Sequence, residues 1–248
     1  MKISVITVVY NGCQTVRAAI ESVLNQKYPD IEYIIIDGGS TDGTLELIRS
    51  YGSHINKMIS EKDNGIYDAM NKGLALATGE VVSFLNADDL YVDDQVIGKV
   101  ARVFQENKID SCYGDIYYVD RKEPDRVIRH WKARPFQEGI FKKGWYPAHP
   151  AFFVRKDIID KYGGFDTFFK ISADYELILR LLGKYRISTI YLPEILVKMR
   201  VGGESNRSII NIIKANIECY QAWKKNGLKP NIMYIFNKLW FKAKQYRK

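Results

Sequence analysis

Cysteine and histidine are scarce in this chain, three of each among 248 residues. Cys13, Cys112 and Cys219 lie far apart and form no CxxC pair, which excludes a disulfide framework and a structural zinc site as organising devices. A reducing, cytoplasmic setting is the simplest expectation. No uncharged apolar run reaches the roughly 18 residues a membrane-spanning helix needs. Met1-Lys2 leads straight into Ile3-Ser4-Val5-Ile6-Thr7-Val8-Val9 without a small-residue cleavage site, so the start of the chain reads as a strand and not as a signal peptide. Internal repeats and low-complexity stretches are missing too. What remains, 46% hydrophobic and 13% aromatic, is a folded chain able to bury a sizeable core, of a length that suggests one domain with a terminal extension.

Acidic residues are nearly missing from one place only. From 207 to 248 there are ten basic residues and a single acid, Glu218, a local charge of +9; residues 1–206 carry −1 and the whole chain +8. A near-neutral core with a basic appendix differs from a uniformly basic nucleic-acid binder, and nucleic acid is not an expected partner.

The apolar run 3–9 ends at Tyr10-Asn11-Gly12 and reads as a buried strand entering a turn, with a helix expected at 14–25. Glu32–Asp37 repeats the pattern before Gly38-Gly39-Ser40 and a helix reaching Tyr51. A strand at 56–60, a helix at 66–77 and a strand at 81–85 follow. Four strands alternating with helices predict an α/β fold with an open, mainly parallel central sheet flanked by helices, and ligands bound at the carboxyl ends of its strands. Beyond residue 90 the expectation is a helix at 93–106, strands at 111–119, 126–131 and 151–155, a helix at 173–183, a hairpin-like pair at 187–200, and helices at 208–226 and 231–246.

Polar clusters occupy the predicted strand ends. In Asn86-Ala87-Asp88-Asp89 two adjacent carboxylates repel each other unless a cation or hydroxyl satisfies them, and such hard oxygen ligands suit Mg²⁺ or Mn²⁺ bridging to a diphosphate; alternatively one of them caps the next turn. Asp37, beside small residues that let a ligand approach the backbone, is placed to accept a hydrogen bond from a base or ribose. The glycines at 38, 39 and 43 are not a GxGxxG fingerprint, so a nicotinamide dinucleotide fold loses its sequence support. Asp42 reads as a helix cap, and Asp174 as either a cap of the helix that follows or a functional carboxylate. His149, stiffened between Pro147 and Pro150, contacts an acceptor, a phosphate or a metal unless it is an ordinary hydrogen-bonded histidine.

The segments Val5–Asn11, Ile36–Thr44, Gly65–Gly73, Ala77–Glu80 and Phe84–Asp89, in this order and spacing, together resemble glycosyltransferase family 2. Gly163–Asp166 and Ala173–Glu176 are similar to the family's acceptor-side motifs, so the likeness extends over about 1–205. The resemblance implies a GT-A fold that moves a sugar from a nucleotide donor with inversion. It places Val8 and Tyr10 in the base pocket with Asp37 and Gly39 beside them, and makes Asp88 the ribose or diphosphate contact and Asp89, assisted by Asp88, the principal metal ligand. Asp174 corresponds to the general base, Asn86 stands where many relatives carry another Asp, Asp68, Asn71 and Lys72 sit on the helix lining the donor site, and His149 and Glu176 fall on the acceptor side. Where relatives often have a second aspartate that contacts uracil, this chain has Gly38; UDP is nonetheless the first expectation for the donor nucleotide.

The implied organisation is a glycosyltransferase domain at 1–206, with a nucleotide-sugar half (1–90) and an acceptor half (91–206), followed by a basic amphipathic helical extension at 207–248. In the extension Ile232, Ile235, Phe236, Leu239, Trp240 and Ala243 share a stripe suited to an anionic membrane surface, or to packing on the core or on a second copy in a homodimer. Membrane contact on the inner face would suit a glycan or polyprenyl-diphosphate-linked acceptor, by analogy with relatives that assemble O-antigen, capsule or exopolysaccharide. Residues 200–205 form either a flexible lid or a plain turn. Two other readings stay open: a sugar nucleotidyltransferase, although Tyr10–Gln14 is not its Gly-rich basic loop, and a non-catalytic nucleotide-sugar or membrane-binding protein.

Overall fold

The computed structural model describes residues 1–202 and 209–229. The first part alternates as expected: β1 (Ile3–Val9), α1 (Val16–Leu24), β2 (Ile31–Asp37), α2 (Thr44–Arg49), β3 (Lys57–Ser60), α3 (Ile66–Leu76) and β4 (Val81–Phe84). These four strands lie in the order β3-β2-β1-β4, all parallel. Residue parity sorts the side chains between the two faces. Ile6, Val8, Ile34 and Ile36 join Met70 and Leu74 of α3 in one core, while Val5, Val9, Tyr33 and Ile35 join Ile20 of α1 and Ile48 of α2 in the other. Glu32, buried under the sheet's amino end, accepts hydrogen bonds from Ser4 Oγ at 2.6 Å and Thr78 N at 2.8 Å and pairs with Lys57 at 2.8 Å. Burial raises its pKa, but these partners outweigh burial and bring it to about 2.

The second part is β5 (Leu90–Tyr91), α4 (Val96–Glu106), β6 (Ser111–Val119), β7 (Val127–Trp131), β8 (Phe152–Arg155), α5 (Lys156–Tyr162), α6 (Ala173–Ile178), β9 (Thr189–Arg200) and α7 (Ile209–Lys225). Here the chain joins the same nine-stranded sheet through antiparallel β8 against β4 and β6, parallel β9 against β6, and the two antiparallel strands β5 and β7. The parallel character expected of the sheet thus belongs to its first half, and the whole is a mixed sheet with helices on both faces.

The hairpin expected at 187–200 is instead one long strand. Pro193, a turn signal in sequence, lies at a register shift of β9 against β6, where a missing ladder donor is tolerated. Gly114 of β6 faces this irregularity, and a Cβ there would approach Glu194 O to 2.8 Å. The helix expected at 173–183 continues from α6 into a π-helical stretch, Leu179–Lys184. The helix expected at 208–226 is α7; the one at 231–246 lies outside the described residues.

Candidate active site

A cavity of about 580 Å³ opens at the carboxyl ends of β1 and β4, of the size that takes a substantial small-molecule ligand. Val8 and Tyr10 from the end of β1, Asn86 and Asp88 from the end of β4, and Asp174 from the start of α6 all line it. The sheet explains the convergence. β1 and β4 pair in register, so the loops after them emerge side by side, and α6 arrives from the far part of the chain. Tyr10 lines the cavity and is 66% exposed. The loops after β1 and β2 are laced together: Asn11 N donates to Ser40 Oγ at 2.8 Å, Thr41 N to Asn11 Oδ1 at 2.9 Å, and Cys13 N to Asp42 Oδ2 at 3.1 Å. Asp42 also accepts Thr44 N at 3.1 Å and so closes the turn; the N-cap position of α2 is Gly43, not Asp42 as expected.

Several candidates fall elsewhere. Asp37 is fully buried and absent from the cavity wall; its carboxylate accepts Ser60 Oγ at 2.6 Å and Ser40 N at 3.2 Å, which fixes the turn after β2. Gly39 provides a left-handed bend at φ +83° against the Lys62 backbone and does not line the cavity either. The carboxylate at this end of the cavity belongs to Asp63. Its Oδ1 accepts Gly65 N at 2.8 Å, and a Cβ at Gly38 would collide with its Oδ2. The glycine at 38 is therefore what admits Asp63 beside Tyr10.

Asp89, expected as the principal metal ligand, is instead 1% exposed behind the wall. Its oxygens accept Arg200 N at 3.3 Å and Asn86 Nδ2 at 3.2 Å. Burial, then the charge of Asp88, pushes its carboxyl well above the usual range. Arg200, itself buried, donates to Asp88 O at 2.7 Å, so the end of β9 holds the 86–89 turn from behind. Asp88 keeps its carboxylate on the cavity wall. Beside it Asn86 Oδ1 is buried without a hydrogen-bond partner. Among the described residues no group of three His, Cys, Asp or Glu side chains is arranged to hold a metal. Asp88 and the orphaned Asn86 oxygen fit a hard cation that draws its remaining ligands from substrate and water.

Asp174 Oδ1 accepts the Tyr67 hydroxyl at 3.2 Å, and that hydroxyl also donates to Ile171 O at 2.7 Å. Burial, followed by the charge of Asp174, drives the Tyr67 phenol far up, so it stays a donor. Lys170 and Arg121 bring cations to the same wall. Asp68 and Lys72 are not on it: Asp68 accepts Asn64 N at 3.0 Å, and Lys72 pairs with Glu61 at 2.7 Å, which braces the loop before α3. Asn71 clamps Phe165 through both main-chain groups, at 2.8 and 2.9 Å.

His149 is buried against Phe84 and Phe165, ring centroids 5.4 and 5.6 Å away, and does not reach the cavity. Burial lowers its pKa. Glu176 is likewise enclosed, paired with Arg180 at 2.9 Å and Asn226 at 2.9 Å. Neither lines the cavity, and His149 Nε2 is buried without a hydrogen-bond partner. Sequence reading missed Asp63, Tyr67, Arg121 and Lys170. The turn sequence Lys62-Asp63-Asn64-Gly65 signalled the first; nothing local signalled the others, which reach the cavity only through the fold.

Parallel strands with a ligand-sized cavity at their ends, extended by a mixed sheet that delivers a carboxylate to its far wall, define a GT-A glycosyltransferase. The chain belongs to glycosyltransferase family 2, whose sequence profile matches residues 4–163. It is similar to a PGL/p-HBAD biosynthesis glycosyltransferase of Mycobacterium bovis, 26% identical over 212 residues covering 84% of this chain and 80% of the relative. An uncharacterized glycosyltransferase of Rickettsia typhi is 31% identical over 247 residues, 94% of this chain and 74% of that protein. Among solved structures, S. aureus TarS 1-349 in complex with UDP superposes with a TM-score of 0.68 at 18% identity, covering 96% of this chain and 68% of that one. The chain spans 41% of the longer TarS structure. A mannosyltransferase of Pyrobaculum calidifontis in complex with GDP-Man and Mn²⁺ gives 0.68 at 19% identity, covering 96% and 69%. At these identities the structural likeness speaks for the fold.

Proposed function

We propose that the chain transfers a sugar from a UDP-sugar to a hydroxyl of a glycan or lipid-linked acceptor, with inversion. The observation that carries this reading is the joint presence of Asp88 and Asp174 on the wall of one cavity. Asp174, oriented by Tyr67, takes the acceptor proton; the hydroxyl oxygen attacks the anomeric carbon, whose bond to the diphosphate oxygen breaks on the opposite face. Arg121 and Lys170 offset charge developing on the departing diphosphate. A Mg²⁺ or Mn²⁺ ion, held by Asp88 with Asn86, would supply further charge stabilisation to the diphosphate. The mannosyltransferase complex with Mn²⁺ lends this weight.

UDP is favoured by the Asp63 carboxylate beside the exposed Tyr10 ring. With Oδ1 engaged by Gly65 N, the remaining oxygen suits the single ring N–H of uracil, whereas cytosine presents a lone pair at that position. The TarS complex with UDP points the same way. A thermal-shift panel of UDP, GDP, CDP and dTDP with and without Mn²⁺ tests the reading. UDP is expected to raise Tm in a Mn²⁺-dependent manner that Asp88→Ala abolishes; no shift with any nucleotide would overturn it.

The acceptor side favours a lipid-linked substrate at an anionic membrane surface. No described helix is long and apolar enough to cross a membrane. On α7, however, Ile210, Ile213 and Ile217 form an outward stripe, 64, 54 and 52% exposed, flanked by Lys214 and continued by Lys224. Flotation with vesicles containing anionic lipid is expected to carry the full chain, and replacing the three isoleucines by serine to reduce binding; failure of the full chain to float would remove the membrane from the proposal.

A further inference from the structure

The inner face of α7 meets the segment that carries Asp174. Glu218 is the one acid among the ten basic residues of 207–248, and its carboxylate faces the main chain rather than a lysine. Oε1 accepts Lys170 N at 3.0 Å, while Oε2 accepts Ile171 N at 2.9 Å and Ser172 N at 2.8 Å. Three consecutive main-chain donors converge on one carboxylate, a nest that selects an anion and makes each bond charge-assisted. The hydroxyl of Ser172 adds a fourth tie to the same helix, donating to Ala215 O at 3.1 Å.

What this nest holds is a wall of the cavity. Lys170 and Ile171 line it directly, and Asp174 follows at the first turn of α6. From the other side Tyr67 of α3 grips Ile171 O and Asp174 Oδ1. The segment is thus held between a hydroxyl on α3 and a carboxylate on α7, with no side chain of its own capping α6. An amide in place of Glu218 accepts through one oxygen only and turns its own NH₂ toward at least one of the three donors.

We infer that Glu218 is a positioning residue of the transfer reaction: it fixes the 170–172 backbone so that Asp174 meets the acceptor hydroxyl in reacting geometry. The inference rests on the reading of Asp174 as the base. The basic C-terminal segment therefore contributes to the active site as well as offering an outer face.

The same helix supplies a control. Trp223 Nε1 donates to Tyr175 OH at 2.8 Å, which fastens α7 to α6 through a bond separate from the three that Glu218 accepts. Trp223→Phe loosens the helix; Glu218→Gln releases the loop. Turnover is read as UDP release from UDP-glucose, UDP-galactose and UDP-N-acetylglucosamine, with water as the acceptor hydroxyl, alongside UDP affinity, Tm, and hydrogen exchange of the amides at 170–172. Glu218→Gln is expected to lower kcat about 100-fold, as a misplaced reacting group does, with donor KM and UDP affinity within about twofold of native and with faster exchange at 170–172. Glu218→Asp recovers part of kcat, and Trp223→Phe keeps kcat even where its Tm falls further.

Native exchange at 170–172 in Glu218→Gln, native kcat in that variant, or an equal kcat loss in Trp223→Phe would each overturn the inference. Failure of the underlying reading looks different. Asp174→Asn would then turn over at the native rate while Glu218→Gln still speeds exchange at 170–172.

Discussion

The two walls of the cavity are built in opposite ways. The wall at β1 and β4 comes from strands that pair directly and from the loops immediately after them, so Val8, Tyr10, Asn86 and Asp88 are placed mainly by local chain geometry, with Arg200 of β9 as the one distant brace behind the 86–89 turn. The opposite wall is assembled at long range: Tyr67 on α3, Ile171 and Asp174 before and on α6, and Glu218 on α7 meet only in the folded chain. On the proposed function, the first wall binds the donor and the second carries the base. A site divided this way lets nucleotide recognition stay rigid while the acceptor side is set by contacts that can be altered one at a time.

The sharpest way to separate the walls is Asp174→Asn, expected to lower turnover by about 10²–10⁴-fold with UDP binding intact in a thermal-shift assay; loss of both together would mean that the walls do not divide binding from reaction. Next comes the pair Asp88→Ala and Asp89→Ala. The first is expected to abolish Mn²⁺-dependent stabilisation by UDP at unchanged ligand-free Tm. The second leaves Arg200 N and Asn86 Nδ2 without an acceptor, and is expected to cost about 1–3 kcal/mol of stability in denaturant unfolding. If Asp89→Ala behaved as Asp88→Ala does, the half-buried and the buried carboxylate would have to exchange roles.

The smallest effect lies between the walls. Burial holds the pKa of His149 below 6.5, so the folded chain declines a proton that the unfolded chain accepts. Stability is full above that value and falls as pH drops from 6.5 toward the lowered folded pKa. His149→Phe is expected to flatten this part of the Tm-against-pH curve and to leave UDP affinity unchanged. An altered UDP affinity would return His149 to the site.

The same division explains what the sequence disclosed. β1 to β4 announced themselves because buried parallel strands read as continuous apolar runs, and each ends in a polar cluster. Asp88 and Asp174 stood out for the same reason: a carboxylate at an element's end invites attention. The sequence could not show which of Asp88 and Asp89 faces the cavity, because that depends on how the turn after β4 is held by Arg200. The 187–200 segment misled because Pro193 resembles a turn until β6 is seen pairing along its length. The sequence likewise could not show that Asp37 is buried in its turn with Ser60 and Ser40 on its carboxylate. Tyr67, Arg121 and Glu218 had no local signature. Their meaning lies in pairs separated by scores of residues, such as Tyr67 with Asp174 and Glu218 with Ile171.

Glu218 also bears on the order of synthesis. A ribosome releases the chain from its amino end, and contiguous units fold as they emerge. The four parallel strands are synthesised long before Glu218 leaves the exit tunnel, whereas the 86–89 turn waits for Arg200 and the 170–172 backbone for Glu218. On the proposed function, the wall that carries Asp174 is thus the last part of the site to settle during each molecule's synthesis.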